Sequence, residues 1–199
     1  MERYEEILHY WFGTRENTDA YYQDRLKLWF AGGPSTDAYI RKHFEKDIIQ
    51  AAEGKLSIWE KSPRSCLALI ILLDQFSLNI YRDQPRSFEQ SSLAIPVSLR
   101  AIQLGLDERV SFVERVFIYL PLEHAEDLEL QKQSVQQFKK LVKSAAGNEK
   151  KWMENFLDYA VKHWAVVERF GRFPDRNEMF KRESTPAEKE YLTQGGPPF

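Results

Sequence analysis

Apolar positions recur at helical spacing along the whole chain, and short turn signals separate the periodic segments. No alternating run bounded by Asn-Gly or Asp-Gly suggests a hairpin. The pattern predicts helices over 2–12, 19–30, 36–53, 63–82, 86–104, 112–120, 122–144, 148–170 and 186–194. Their ends are well marked. Ser62-Pro63 reads as an N-cap with proline at the first helical position, Ser111 with Glu114 as a capping box, and Thr185-Pro186-Ala187-Glu188 as both signals at once. Gly54, Gly105, Gly147 and Gly171 follow helical patterns, where glycine can take the left-handed conformation. Pro96 predicts a kink in the fifth helix, and Pro121 a break in what would otherwise be one long helix from 112 onward. Short connections make consecutive helices antiparallel pairs, in a bundle or an α-solenoid, and no repeat consensus chooses between the two. Residues 1–194 therefore read as a single all-α domain, and 195–199 as a short tail whose terminal Phe199 docks or frays.

Three of these helical faces turn polar on the side that should be buried. Ala68, Leu72, Gln75, Asn79 and Arg82 follow one face, with Asp74 beside it. His124, Asp127, Gln131, Val135, Phe138 and Val142 follow another, with Glu123 next to its polar end. On the eighth helix, Trp152, Phe156, Tyr159, His163, Val166 and Phe170 set one histidine among large apolar side chains. An unsatisfied buried polar group costs about 1–3 kcal/mol, so the economical arrangement is that these stripes meet. The run Phe170-Gly171-Arg172-Phe173-Pro174-Asp175-Arg176-Asn177 interleaves charge with aromatics and turn formers, as at a packed corner closing that seam.

Composition narrows the classes. The 199 residues are 43% hydrophobic, with five Trp and thirteen Phe, enough for one bulky core. Lys and Arg number 28 against 30 Asp and Glu, a formal charge of −2, so no overall basic field attracts nucleic acid or anionic lipid. Cys66, the single cysteine, excludes an intrachain disulfide and opens an apolar run, as expected of a buried, inert thiol in a reducing compartment. The first ten residues lack a secretory pattern, and the apolar run at 66–73 is far shorter than the ~20 residues that span a bilayer. A soluble, cytoplasmic protein without a membrane or nucleic-acid partner is expected.

Candidate chemistry concentrates on the seam. In a purely architectural reading, Asp74, Glu123 and Asp127 pair with Arg82, Arg172 and Arg176. In a binding reading, Arg82, Arg169, Arg172 and Arg176 keep guanidinium donors for a small anion, joined by Asp74, Gln75, Asn79, His163 and Asn177. His124 as a base, oriented by Asp127 or Glu123, offers acid-base catalysis. Glu123, His124 and Asp127 with Asp74 and His163 also form a set of the type that binds Mg²⁺, Mn²⁺ or Fe²⁺, although no Glu-x-x-His occurs and no metal is assigned. No cofactor is specified. The partner is a small anionic molecule or a protein.

The same residues carry a family resemblance. Tyr10-Trp11-Phe12-Gly13, Ala51-Ala52-Glu53-Gly54-Lys55-Leu56, Trp59, and Leu67-Ala68-Leu69-Ile70-Ile71-Leu72-Leu73-Asp74-Gln75-Phe76 are joined by Asn79, Tyr81 and Arg82. Tyr119-Leu120-Pro121-Leu122-Glu123-His124-Ala125-Glu126-Asp127 follows, then His163, Arg169-Phe170-Gly171-Arg172-Phe173-Pro174, Arg176-Asn177 and Arg182-Glu183-Ser184-Thr185-Pro186. In these motifs the chain resembles the bacterial family of domain of unknown function 924. The resemblance implies a tetratricopeptide-like superhelix of antiparallel helix pairs, hence an α-solenoid able to bind a partner on its concave face, and it implies no activity. Three positions depart from the family pattern: Leu78 stands where arginine is usual, Asp175 where histidine is usual, and Ala125 where serine is usual.

Overall fold

The computed structural model describes residues 1–196, and among them there is no strand. Helix α1 spans Arg3–Phe12, α2 Asp19–Phe30, α3 Pro34–Ala52, α4 Pro63–Ile71, α5 Ser77–Ile80 and α6 Pro85–Gln103. They are followed by α7 Phe112–Glu123, α8 Leu128–Ser144, α9 Gly147–Phe170 and α10 Pro186–Thr193. The expected tail begins at 195, and its residues 197–199 lie outside the described residues. Among the described residues, no helix is long and apolar enough to cross a membrane.

The hydrophobic run from Cys66 to Leu73 is continuous because α4 is covered on every side, by α1, α6 and α7 and by the short helical turn Ser57–Lys61 before it. Burial pushes the Cys66 thiol up to about 12, so it is inert as the sequence suggested. Around this axis the aromatic core closes edge to face: Phe117 of α7 meets Trp11 at 5.8 Å, Phe12 at 5.2 Å and Trp29 at 4.9 Å between ring centroids. Each such pair adds about 0.5–1.5 kcal/mol beyond the area it buries. Polar ends of the same rings fasten α2 to the end of α1, where Trp29 Nε1 donates to the Trp11 carbonyl at 2.9 Å and Tyr21 Oη to the Phe12 carbonyl at 3.1 Å.

The cap signals hold where they were strongest. Glu114 accepts from both the backbone N–H and the hydroxyl of Ser111, and Thr185 Oγ1 accepts from the Glu188 N–H at 3.2 Å while Glu188 accepts from the Thr185 N–H. Gly171 ends α9 at φ 71°, its N–H returning to the Val167 carbonyl. The break expected at Pro121 does not occur there. Helix α6 passes through Pro96, and α7 continues past Pro121 to Glu123. Leu120, Pro121 and Leu122 are all buried, so packing sustains the last turn despite the missing donor. The break comes instead at residues 124–127, where Asp127 accepts from the Leu130 N–H at 2.9 Å and starts α8. The helix expected over 63–82 is also interrupted, by a widened π turn at Leu72–Phe76. Helices α6 to α9 pack consecutively, each against the next.

Candidate acid-base pocket

Asp74 sits inside the π turn with no exposed surface. Such a turn spreads the backbone, and a buried carboxylate placed there needs hydrogen-bonding partners. Three are supplied. Gln75 Nε2 donates to Oδ2 at 2.6 Å, Ser91 of α6 donates its hydroxyl to Oδ1, and His124 Nδ1 lies 2.9 Å from Oδ1. Burial alone would raise this carboxyl, but the charge of His124 and these hydrogen bonds outweigh it and hold the group below the usual carboxylate range. Helix α6 comes close enough to deliver Ser91 because its inward stripe is small: Ser87, Ser91, Ala94, Ser98 and Ala101 are all buried.

His124 is the C-cap residue that follows α7, and its backbone is clamped from two directions. Gln131 of α8, fully buried, donates Nε2 to the carbonyls of Glu123 at 2.5 Å and Ala125 at 2.8 Å. From the other side, Arg176 Nη1 donates to the His124 carbonyl at 2.8 Å. Arg176 is 8% exposed and lies between the rings of Phe88 and Phe173, 4.0 and 4.1 Å from their centroids. Burial lowers this guanidinium to about 10, still charged at neutral pH. Glu126 completes the clamp by accepting from the Phe173 N–H at 2.8 Å and from Arg182. A charged donor bond is worth about 1.5–3 kcal/mol and a desolvated cation-aromatic contact about 2, set against the cost of burying the cation. Arg176→Ala is therefore expected to lose about 2 kcal/mol or more in a urea titration, and Arg176→Met, which still fills the space between the rings, to recover part of it.

With Nδ1 turned to Asp74, the imidazole presents Nε2 as its free nitrogen, and no described residue bonds it. Beside it is a second pair, Glu123 and His163, 3.1 Å apart. His163 Nδ1 also lies 2.9 Å from the Tyr159 carbonyl, an obligate acceptor, so Nδ1 carries the hydrogen. Burial, helped by the nearby Asp74 charge, pushes the Glu123 carboxyl up to about 8, while burial takes His163 down to about 3 against the help of the Tyr159 carbonyl. Both are neutral near pH 7, so their 3.1 Å contact is not an ion pair. Oε1 of Glu123 makes that contact, and Oε2 is buried with no partner among the described residues.

Glu123, His124 and His163 form one end of a pocket of about 750 Å³ between α2, α7 and α9. Its walls are Leu26 and Phe30 of α2, Leu120 of α7, and Trp152, Phe156 and Tyr159 of α9, with Asn155, Asp158 and Lys162 at polar positions. Phe30 and Tyr159 remain 54% and 44% exposed, unusual for aromatic side chains at a helix packing site.

The polar seam therefore exists, with different pairings from those expected. Asp74, Gln75, Glu123, His124, His163 and Arg176 gather there. The other candidates have partners elsewhere. Asn79 and Arg82 both bind Asp37 of α3, each with a 2.9 Å contact. Arg172 makes a 2.7 Å ion pair with Glu188, Arg169 lies over Phe170 and Tyr191, and Asn177 donates to Ser184. Asp127 caps α8 and does not orient His124. The proposed pairing of Asp74, Glu123 and Asp127 with Arg82, Arg172 and Arg176 is thus replaced: Asp74 and Glu123 meet histidines, Arg82 and Arg172 pair with Asp37 and Glu188, and Arg176 donates to the His124 carbonyl. With Asp127 turned away, no group of three or more His, Cys, Asp or Glu among the described residues is arranged to hold a metal ion. Sequence reasoning missed Ser91, Phe88 and the α2 wall. The small-residue stripe on α6 was a readable signal for the first, and nothing local marked the others.

The family model described as a bacterial protein of unknown function (DUF924) matches residues 7–196. The chain belongs to this family. A solved structure of a protein of unknown function from Agrobacterium tumefaciens resembles it with a TM-score of 0.82 at 33% identity, covering 96% of this chain and 97% of that one. No curated protein matches. The segments that carried the family resemblance at 67–76 and 119–127 are those that supply Asp74, Glu123 and His124. Two of the three departures from the family pattern lie near these side chains: Ala125 contributes its carbonyl to Gln131, and Asp175 is exposed next to Arg176.

Proposed function

We propose that this protein binds a small molecule in the pocket between α2, α7 and α9 and moves a proton to or from it at His124. The supporting observation is the 2.9 Å contact between His124 Nδ1 and the fully buried Asp74, which orients the ring and leaves Nε2 free in a residue that lines the pocket. A carboxylate held this way fixes the tautomer and stabilises the imidazolium that forms when Nε2 accepts a proton. No serine or cysteine nucleophile accompanies the pair in the lining, so the reading is acid-base chemistry. The anion expected from the arginine count shifts to the pocket's lysine, Lys162. A cytoplasmic setting fits the one buried thiol.

The test is a thermal-shift screen of a small-molecule library against wild type, His124→Ala and Asn155→Trp, the last placing a bulky ring at an exposed lining position. Ligand at a hundred times its dissociation constant adds about 2.7 kcal/mol, or a few degrees at this chain length. Hits that stabilise wild type and lose their effect in Asn155→Trp support the pocket. Hits that persist unchanged in both variants would place binding elsewhere.

A second reading has its own support. The consecutive packing of α6 to α9 fits the tetratricopeptide-like superhelix implied by the resemblance, and the exposed Phe30 and Tyr159 at the pocket mouth are suited to docking a partner's apolar side chain. Loss of a partner with Phe30→Ser but not with His124→Ala would favour it.

A further inference from the structure

The proton-transfer reading leaves open what is deprotonated, and the pocket's two ends bear on that. At the polar end, Oε1 of Glu123 lies 3.1 Å from His163 Nδ1, which carries its hydrogen, so the proton of the neutral carboxyl sits on the other oxygen, Oε2. That atom is buried and has no acceptor among the described residues. A buried donor without a partner costs about 1–3 kcal/mol, a penalty that an incoming acceptor oxygen would relieve. The adjacent His124 offers the opposite function, a lone pair on Nε2 backed by the Asp74 carboxylate. Aromatic side chains, Phe30, Trp152 and Phe156, line the remainder, with Lys162 among the polar positions. A donor for an oxygen next to a base for a proton, in a pocket lined largely by aromatic side chains, is the constellation needed to acidify a C–H bond alongside a carbonyl.

We infer that the pocket takes an aryl-substituted 2-oxo acid or a similar aromatic carbonyl compound and catalyses its keto-enol interconversion, Glu123 donating to the carbonyl oxygen and His124 taking the α-proton. This deepens the proton-transfer reading and rests on it. The C–H bond breaks as the N–H bond forms at His124 Nε2. Its electron pair becomes the new C=C bond, and the carbonyl π pair moves to the oxygen that Glu123 hydrogen-bonds. Return of the proton from His124 to the oxygen gives the enol, and its return to carbon regenerates the ketone. No redox partner or cofactor enters the balance. The ring lies among Phe30, Trp152 and Phe156, and the carboxylate of a 2-oxo acid pairs with Lys162 at the polar rim, which releases its surface partner Asp158, now 2.7 Å away.

The probe is phenylpyruvate in D₂O, followed by proton NMR of its methylene signal, with phenylglyoxylate, which has no α-hydrogen, as a binding control in thermal shift. Wild type is expected to exchange the methylene protons faster than buffer, His124→Asn to return to the buffer rate, and Glu123→Leu to lose roughly tenfold or more, as when one stabilising donor is removed. Phenylglyoxylate should still raise the melting temperature of His124→Asn, showing a folded, occupied pocket. Exchange above buffer that survives in His124→Asn would overturn the residue assignment. Binding of either acid that Asn155→Trp abolishes, without exchange in wild type, would overturn the carbonyl chemistry and leave the pocket standing. If other compounds shift wild type and these acids do not, the substrate class is wrong, and if no compound of any class shifts it, the pocket reading falls and this inference with it.

Discussion

Asp74→Ala is expected to bring the protein close to unfolding. The substitution strands the Ser91 hydroxyl, the Gln75 amide and the Nδ1–H of His124 at a point with no access to water. Removing one member of a buried, hydrogen-bonded charged pair costs about 3–5 kcal/mol, a large part of the ~5–15 kcal/mol that holds a domain together. Asp74→Asn keeps one acceptor oxygen and should cost about 1–3 kcal/mol. Urea denaturation monitored by circular dichroism measures both. If Asp74→Ala lost less than about 1 kcal/mol, the carboxylate would not be anchoring α4, α6 and the 124–127 connection as the geometry requires.

The second large effect is the shape of stability against pH. Glu123 has its carboxyl raised from 4.5 to about 8, so between those values the folded chain holds a proton that the unfolded chain has released, and stability falls as pH rises. His163 is lowered from 6.5 to about 3, so between those values the unfolded chain holds the extra proton, and stability falls as pH drops. From pH 4.5 to 6.5 the opposing slopes cancel and leave a plateau. Above it, from 6.5 to about 8, Glu123 acts alone at about 1.36 kcal/mol per pH unit, a loss of about 2 kcal/mol. Below it His163 acts alone with similar size, and Asp74, whose carboxyl is held below its ordinary value, adds to the acid-side loss with the same sign. In Glu123→Gln the alkaline fall should vanish and stability should rise from pH 4.5 to 6.5 under His163 alone. A wild-type profile that climbs from pH 6.5 to 8 would show that Glu123 is ionised in the folded protein.

Much of this was legible in the sequence, for identifiable reasons. Helix ends were marked by side chains with one physical task each, such as Thr185 with Glu188, so those boundaries fell where expected. Inward faces turning polar correctly brought Asp74, His124, His163 and Arg176 into one seam, since buried polar groups have few places to go. The errors came from assuming an uninterrupted helical pitch over 63–82. The π turn at Leu72–Phe76 shifts the phase, so Asp74 faces α6 and His124 while Asn79, five residues on, reaches Asp37 of α3. Arginine misled for another reason. A long side chain reports little about its destination, and Arg172 satisfies itself on Glu188, a residue that seemed fully explained as a cap. The pocket escaped notice because its walls come from distant stretches of chain, and Phe30 carries no local sign of being a wall.

The Arg176 clamp has a bearing on synthesis. All residues of α1 to α9 have been added once the ribosome has passed residue 170, but the His124 carbonyl has no guanidinium donor and Glu126 no Phe173 N–H until residues 173–176 emerge. A nascent or prematurely terminated chain would carry Asp74 and His124 without the piece that locks their connection. A fragment that stops short of residue 173 is therefore expected to keep the elements α1 to α9 while leaving the 124–127 connection loose.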